Sequence, residues 1–196
     1  MAPKLSPVKL KICQPYLDNL KALYAAMDQK YSQVAEAYGF ICQACQDNCC
    51  LTRFYHHTYL EYFYLLTGLQ ELPDARQQEI GRRATKAVKQ YAAAETGGSH
   101  TRIMCPLNHF GRCVLYRFRP MICRLHGVPH VVERPDGQRM FGPGCEAFTN
   151  SSQAKQQVYL DRTPFYRRLA VLEKDLRKAL GIEAKFKQTI AQMIIT

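Results

Sequence analysis

Four cysteines fall within nine consecutive residues, Cys42-Gln43-Ala44-Cys45-Gln46-Asp47-Asn48-Cys49-Cys50, and no other stretch restricts the chain so strongly. Four more, Cys105, Cys113, Cys123 and Cys145, form a second block. Thiols at gaps of two and three residues, in a chain whose N-terminus lacks a secretory pattern, point to soft-metal binding rather than to disulfides. A single buried cysteine is an ordinary small hydrophobe. Eight in two tight blocks are costly as core filling, because free thiols oxidise readily. They suit two four-thiolate sites.

If residues 42–50 were helical, Cys42, Cys45 and Cys49 would lie within roughly 60° of one another around the axis, with Cys50 about 80° from Cys42. Adjacent cysteines diverge in most backbone states. Cys49 and Cys50 are therefore expected either to serve different sites or to divide into ligand and supporting neighbour.

The 196 residues suffice for one domain with a sizeable core. The formal net charge of +11 attracts anions without choosing among nucleic acid, lipid and acidic protein. Residues 1–9 carry two prolines and two lysines instead of an apolar signal core, so a cytoplasmic location is expected. The most apolar window, Phe54 to Leu69, contains His56, His57 and Glu61 and falls short of a membrane span, so no membrane partner is expected.

The pattern predicts a mainly α fold: one compact helical domain over 1–196 with an irregular, cysteine-rich metal-binding lobe containing short β strands. Residues 1–39 form an N-terminal helical segment, 40–150 the cysteine-cluster core and 151–196 the C-terminal helices. The first helix is expected from Pro15 to Tyr38, its seam Leu17, Leu20, Tyr24, Met27, Tyr31, Val34 and Tyr38 packing within the chain. Leu10 and Cys13 continue that spacing, which makes Cys13 a core thiol outside the metal set.

A central helix is expected over Leu51 to Leu69, starting directly on Cys50, with His56 and His57 in packing or supporting roles more than as ligands. A turn at Gly68 leads to a third helix over Asp74 to Glu95. Gly97-Gly98-Ser99 is a loop, since it follows a helix instead of linking a strand to one.

Five prolines then break residues 100–148, where Val114 to Tyr116 and Val128 to Val132 are candidate strands and Arg134 to Gln138 a hairpin turn. Sparse apolar periodicity there implies a lobe dependent on metal for stability. Thr163-Pro164 opens a helix that Gly181 ends, followed by a short helix over Glu183 to Ile194.

Between Cys105 and Cys145 the chain carries six arginines, no lysine and two acids, a local balance of +4. Two tetrathiolate sites would carry −2 each, and arginine suits that counter-charge because it stays protonated and forks its hydrogen bonds. Arg119 and Arg124 are expected to act on the sulfurs in this way.

The phrases Cys42-x2-Cys45-x3-Cys49-Cys50, Cys105-Pro106 and Gly111-Arg112-Cys113-Val114-Leu115-Tyr116-Arg117-Phe118-Arg119-Pro120-Met121-Ile122-Cys123-Arg124 resemble the YkgJ family of cysteine-cluster proteins, described as zinc- or iron-chelating. The resemblance spans roughly residues 40–146. It implies that Cys42, Cys45, Cys49, Cys50, Cys105, Cys113, Cys123 and Cys145 are the metal ligands. Family members often place glycine where this chain has Asn48, which also tolerates a left-handed backbone.

Three functions compete. The first and preferred is a metal-binding protein holding an iron–sulfur cluster or zinc, iron slightly ahead, in redox chemistry or metal handling. The second is an enzyme similar to flagellin lysine methylases, for which the chain lacks a strand-to-helix glycine loop. The third is a zinc-stabilised module binding nucleic acid through basic helices, a less favoured use of residues that more often form a solvated face. Ligand count does not separate zinc from iron–sulfur, since both accept four cysteines.

Overall fold

The computed structural model describes residues 6–42, 49–96, 102–151 and 158–196. Cys45, Asn48 and the Gly97-Gly98-Ser99 segment lie outside them, as does most of the proposed helical turn over 42–50. The fold is mainly α, and among the described residues the short strands form two small sheets.

Helix α1 spans Pro7–Ala37, beginning a full two turns earlier than the expected start at Pro15. Ser6 caps it by accepting the Lys9 N–H, and Pro7 occupies the first turn, where its missing N–H costs nothing. Pro15 lies inside the helix on the exposed face, where water can satisfy the carbonyl one turn back. The seam behaves as expected: Leu17, Leu20, Tyr24, Met27 and Val34 are buried, and Cys13 is fully enclosed with them. The helix packs within the chain, on α4 (Met121–Leu125), α6 (Thr163–Leu180) and α2 (Tyr59–Gln70).

Helix α2 is central but starts later than expected. Residues 49–51 form a single 3-10 turn, and the chain then runs extended to Thr58. His56 pairs its backbone with Gln188 at 2.8 and 3.0 Å, which takes residues 52–58 out of any helix. Two buried carboxylates then set the helix start. Glu173 of α6 accepts the Tyr59 and Leu60 N–H groups at 3.0 and 2.9 Å, and Thr58 exchanges hydrogen bonds with Glu61. Cys50 is thus separated from the core helix by an extended run.

Gly68, expected as a turn, sits inside α2. A Cβ there would come within 2.3 Å of the Phe118 ring, so glycine lets the 116–118 turn lie flat on the helix. Leu60, Phe63 and Tyr64 face one core, with α1, α4 and α6. Leu65, Leu66 and Leu69 face a second, built with α3 (Asp74–Thr96), residues 103–115 and α7 (Ile190–Ile195).

Short strands β1 (Asn108–His109) and β2 (Arg112–Cys113) form one hairpin. The expected strand over Val114 to Tyr116 is absent; that stretch leads into a 3-10 turn at Tyr116–Phe118. Strands β3 (His130–Glu133) and β4 (Arg139–Gly142) pair antiparallel across the expected turn at 134–138, and β5 (Leu160–Asp161) joins β3 in parallel. Helix α5 (Glu146–Ser151) follows Cys145. Helix α6 ends at Gly181 in a left-handed cap, as its sequence indicates. The last helix is shorter than expected, because Thr189 and Gln192 form a capping box and residues 183–188 are drawn into the tie with His56.

Candidate metal centre

Seven of the eight candidate ligands are described, and none of the seven is in a disulfide. They come from six places in the fold: Cys42 beyond the end of α1, Cys49 and Cys50 in the 3-10 turn, Cys105 before β1, Cys113 at the end of β2, Cys123 in α4, and Cys145 before α5. Cys42 is exposed and the other six are partly buried.

Backbone hydrogen bonds assemble the first group. The Cys105 N–H donates to the Cys50 carbonyl at 2.8 Å, and the Asn108 N–H to the Cys105 carbonyl at 3.0 Å. The Leu107 N–H faces the Cys105 sulfur and the Leu115 N–H the Cys113 sulfur, so both thiols have a donor two residues downstream. The hairpin that carries Cys113 turns through Phe110 and Gly111 at φ 48° and 81°. A left-handed phenylalanine is sterically unfavourable, and this one is 92% exposed. Asn108 steadies the turn by accepting the Gly111 N–H at 3.1 Å. Its buried Nδ2, which has no regular hydrogen bond, faces Cys50 and helps to hold that thiol's pKa down.

Electrostatic neighbours divide the thiols. Cys105 senses Cys50 and Cys113, Cys113 senses Cys50, and Cys123 senses Cys105, Cys113 and Cys50. Cys42 and Cys145 instead bear together on the Tyr31 phenol, while Cys49 senses Cys50 first, then Cys123 and Cys42. Cys49 and Cys50 face each other across the divide. The Cys49 thiol donates to the Cys50 sulfur, which lowers the Cys50 pKa and raises that of Cys49.

Burial pushes Cys105 up to about 12 and Cys113 to about 11, and raises Cys123 well above the ordinary thiol range. Desolvation is the main cause in each, with neighbouring thiolates adding repulsion. Thiols so placed remain protonated near neutrality unless a cation takes over the charge. That donor set, all sulfur with N–H groups aimed at it, is chemically suited to zinc or an iron–sulfur cluster. Among the described residues no three His, Cys, Asp or Glu side chains stand together in a group that could hold a metal ion.

Arg124 departs from its expected role. Arg124 is 5% exposed, donates to Asp28 at 2.6 Å and to the Arg119 carbonyl at 2.9 Å, also bonds the Arg117 carbonyl, and stacks over Tyr24. Its donors are occupied by α1 and by backbone, so it staples α4 to α1 instead of serving sulfur. Arg119 reaches Asp28 at 3.5 Å, covers the Tyr116 ring, and does bear on Cys113, whose pKa it lowers. His56 is buried with its Nε2 unpartnered, and the charges that bear on it are Glu61 and His57; His57 is exposed.

Sequence reasoning missed Glu61. Buried at 5% exposure, it accepts the Met121 N–H at 2.8 Å, the Thr58 hydroxyl at 2.8 Å and the Tyr24 hydroxyl at 3.1 Å. It fixes the start of α4, two residues before Cys123. A lone acid inside the apolar run 59–69 was the available signal. No family model matches this chain, and neither a curated protein nor a solved structure matches it.

Proposed function

We propose that this protein binds metal through its clustered cysteines, holding an iron–sulfur cluster or zinc, with iron preferred, and that it serves redox chemistry or metal handling in the cytoplasm as a branch of the YkgJ-like cysteine-cluster proteins. What supports this reading is the Cys105 N–H donating to the Cys50 carbonyl at 2.8 Å, which joins the two cysteine blocks, with Cys113 and Cys123 within electrostatic reach of both and backbone N–H groups facing the Cys105 and Cys113 sulfurs. Ordinary core cysteines do not need donors at sulfur, nor does a stable core gather thiols whose ionised forms repel. Those four form one proposed site. Cys42, Cys49 and Cys145 form the other, with Cys45 assigned to it by its place in the nonapeptide.

The resident group would supply positive charge that offsets burial of the thiolates, and in the iron–sulfur case a one-electron couple. The chain's own part is to release the thiol protons and hold the sulfurs. Because Cys105 and Cys113 lie well above their ordinary range, metal uptake releases protons, and affinity falls as pH falls.

Elemental analysis with an absorption spectrum on anaerobically purified protein tests the reading. Cys50→Ser and Cys105→Ser are expected to lose metal, whereas Cys13→Ala keeps it, since Cys13 is enclosed in the α1 core. Metal content unchanged in both serine variants would sink the proposal. A colourless, zinc-loaded protein would reverse the preference for iron.

A further inference from the structure

We propose that Tyr31 is a positioning residue of the second cysteine group, its hydroxyl delivered by α1 to the Cys42 and Cys145 sulfurs as a hydrogen-bond donor. This rests on the metal reading above and adds a residue to it that the spacing of α1 assigns to the core.

Tyr31 occupies the same seam as Leu17, Tyr24, Met27 and Val34, which are at most 2% exposed, yet it is only half-buried. Its ring packs at the edge of the first core, where Phe40 and Cys145 also lie. Three residues before it, Asp28 takes Arg124 and Arg119, so this face of α1 is already pinned against the segment that carries Cys123.

Two glycines make room for the hydroxyl. A Cβ on Gly127 would stand 2.8 Å from Tyr31 Oη, and Gly127 has φ 120°. The Gly127 carbonyl accepts the Cys145 N–H at 3.0 Å. Gly144, at φ 96°, lets the chain close on that carbonyl, since a Cβ there would come within 2.6 Å of it. The knot therefore places Cys145 beside the phenol. The Phe148 N–H donates to the Cys145 sulfur at 3.4 Å, which leaves lone pairs open to a further donor.

Cys42 follows the end of α1. Gly39 at φ 60° reverses the chain, Phe40 donates to the Ala35 carbonyl at 2.8 Å, and its ring packs on Phe148, so the strand leaving α1 folds back over the same knot. A Cβ on Gly127 would meet the Phe40 ring as well, at 3.8 Å, so the segment that leads to Cys42 lies beside the phenol. A phenol O–H among thiolates donates to sulfur, lowering ligand charge and fixing the rotamer, and groups in this role strongly influence metal affinity. Phenylalanine would fill the same volume without the donor.

The test compares wild type with Tyr31→Phe, both stripped and reduced under anaerobic conditions, in titrations with Co²⁺ and Zn²⁺ against a competing chelator. The expected result is an unchanged metal stoichiometry, affinity weakened by about 10- to 100-fold for one of the two sites, and a displaced sulfur-to-cobalt charge-transfer band. The thermal midpoint of the metal-free protein should stay at the wild-type value. Gly127→Ala, which crowds the hydroxyl, should displace the same band. Wild-type affinity and spectrum in Tyr31→Phe would overturn the inference while leaving the metal reading intact. A lowered metal-free midpoint with an unchanged cobalt spectrum would overturn it too, as the mark of a packing role. Wild-type protein that takes up neither ion would instead defeat the metal reading itself.

Discussion

Glu61 shows how much one buried acid can organise. Three donors from three segments converge on its carboxylate: the Met121 N–H, the Tyr24 hydroxyl and the Thr58 hydroxyl. A buried donor left without an acceptor costs about 1–3 kcal/mol. Glu61→Ala orphans the Met121 N–H and the Tyr24 hydroxyl at least, so a loss on the order of 3 kcal/mol is expected in urea unfolding. Cys123 follows Met121 closely in α4, so metal affinity should drop as well. Glu61→Gln keeps one acceptor oxygen and should lose less than Glu61→Ala. Equal losses in the two variants would show that side-chain volume matters there and the acceptor does not.

The tie between His56 and Gln188 couples the extended lead-in of α2 to the segment before α7. Helix α7 buries Ala191, Met193 and Ile194 in the second core with Ile80, Ala84 and Ala87 of α3, and Phe186 stacks on Tyr59 and Tyr62. His56 sits under this strap, and burial lowers its pKa from 6.5, opposed in part by Glu61 and aided by His57. A histidine with a depressed folded pKa binds fewer protons folded than unfolded. Its contribution to stability is therefore complete above pH 6.5 and is lost as pH falls below that value towards the depressed one. The urea midpoint should drop between about pH 7.5 and pH 5.5, and His56→Leu should drop less over the same interval. Hydrogen exchange in α7 should report the loosening first, since the strap holds it. An identical pH slope in the variant would assign the effect to other groups.

The region 105–145 is not the coreless lobe that its irregular apolar spacing implies. Met121, Leu125 and Val128 belong to the first core, Leu107 and Leu115 to the second, and Val131 is buried in β3. Full burial of such side chains contributes about 1.5–3 kcal/mol each, so packing alone supports part of this region. Metal removal should accordingly loosen it unevenly. Exchange protection is expected to fall at residues 49–57 and 105–113, which few buried apolar side chains hold. It should persist over 121–133, where α4 and β3 lie against α1, α6 and β5. Uniform loss across 105–145 would mean that metal holds the entire region; no loss anywhere would weaken the metal-centred reading.

Local chemistry and period were enough to mark the mainly α class, the α1 seam with Cys13 inside it, α3, the 134–138 hairpin turn and the Gly181 stop. These depend on residues within a few positions of one another, which a linear pattern records. The start of α2 is different, because an acid from α6 and a backbone partner from 188 decide it, and neither is visible near residue 51. The same holds within the cysteine set. The blocks are plain in the chain, but their grouping depends on backbone bonds such as Cys105 to Cys50 and on two glycines that let Tyr31 and Cys145 approach. Arg124 is the clearest case: its charge and position beside Cys123 pointed to sulfur, and only the packed helices put Asp28 within 2.6 Å of it. A charged side chain buried in the fold goes to the partner that compensates its desolvation best, and that partner is chosen by tertiary contact rather than by nearness along the chain.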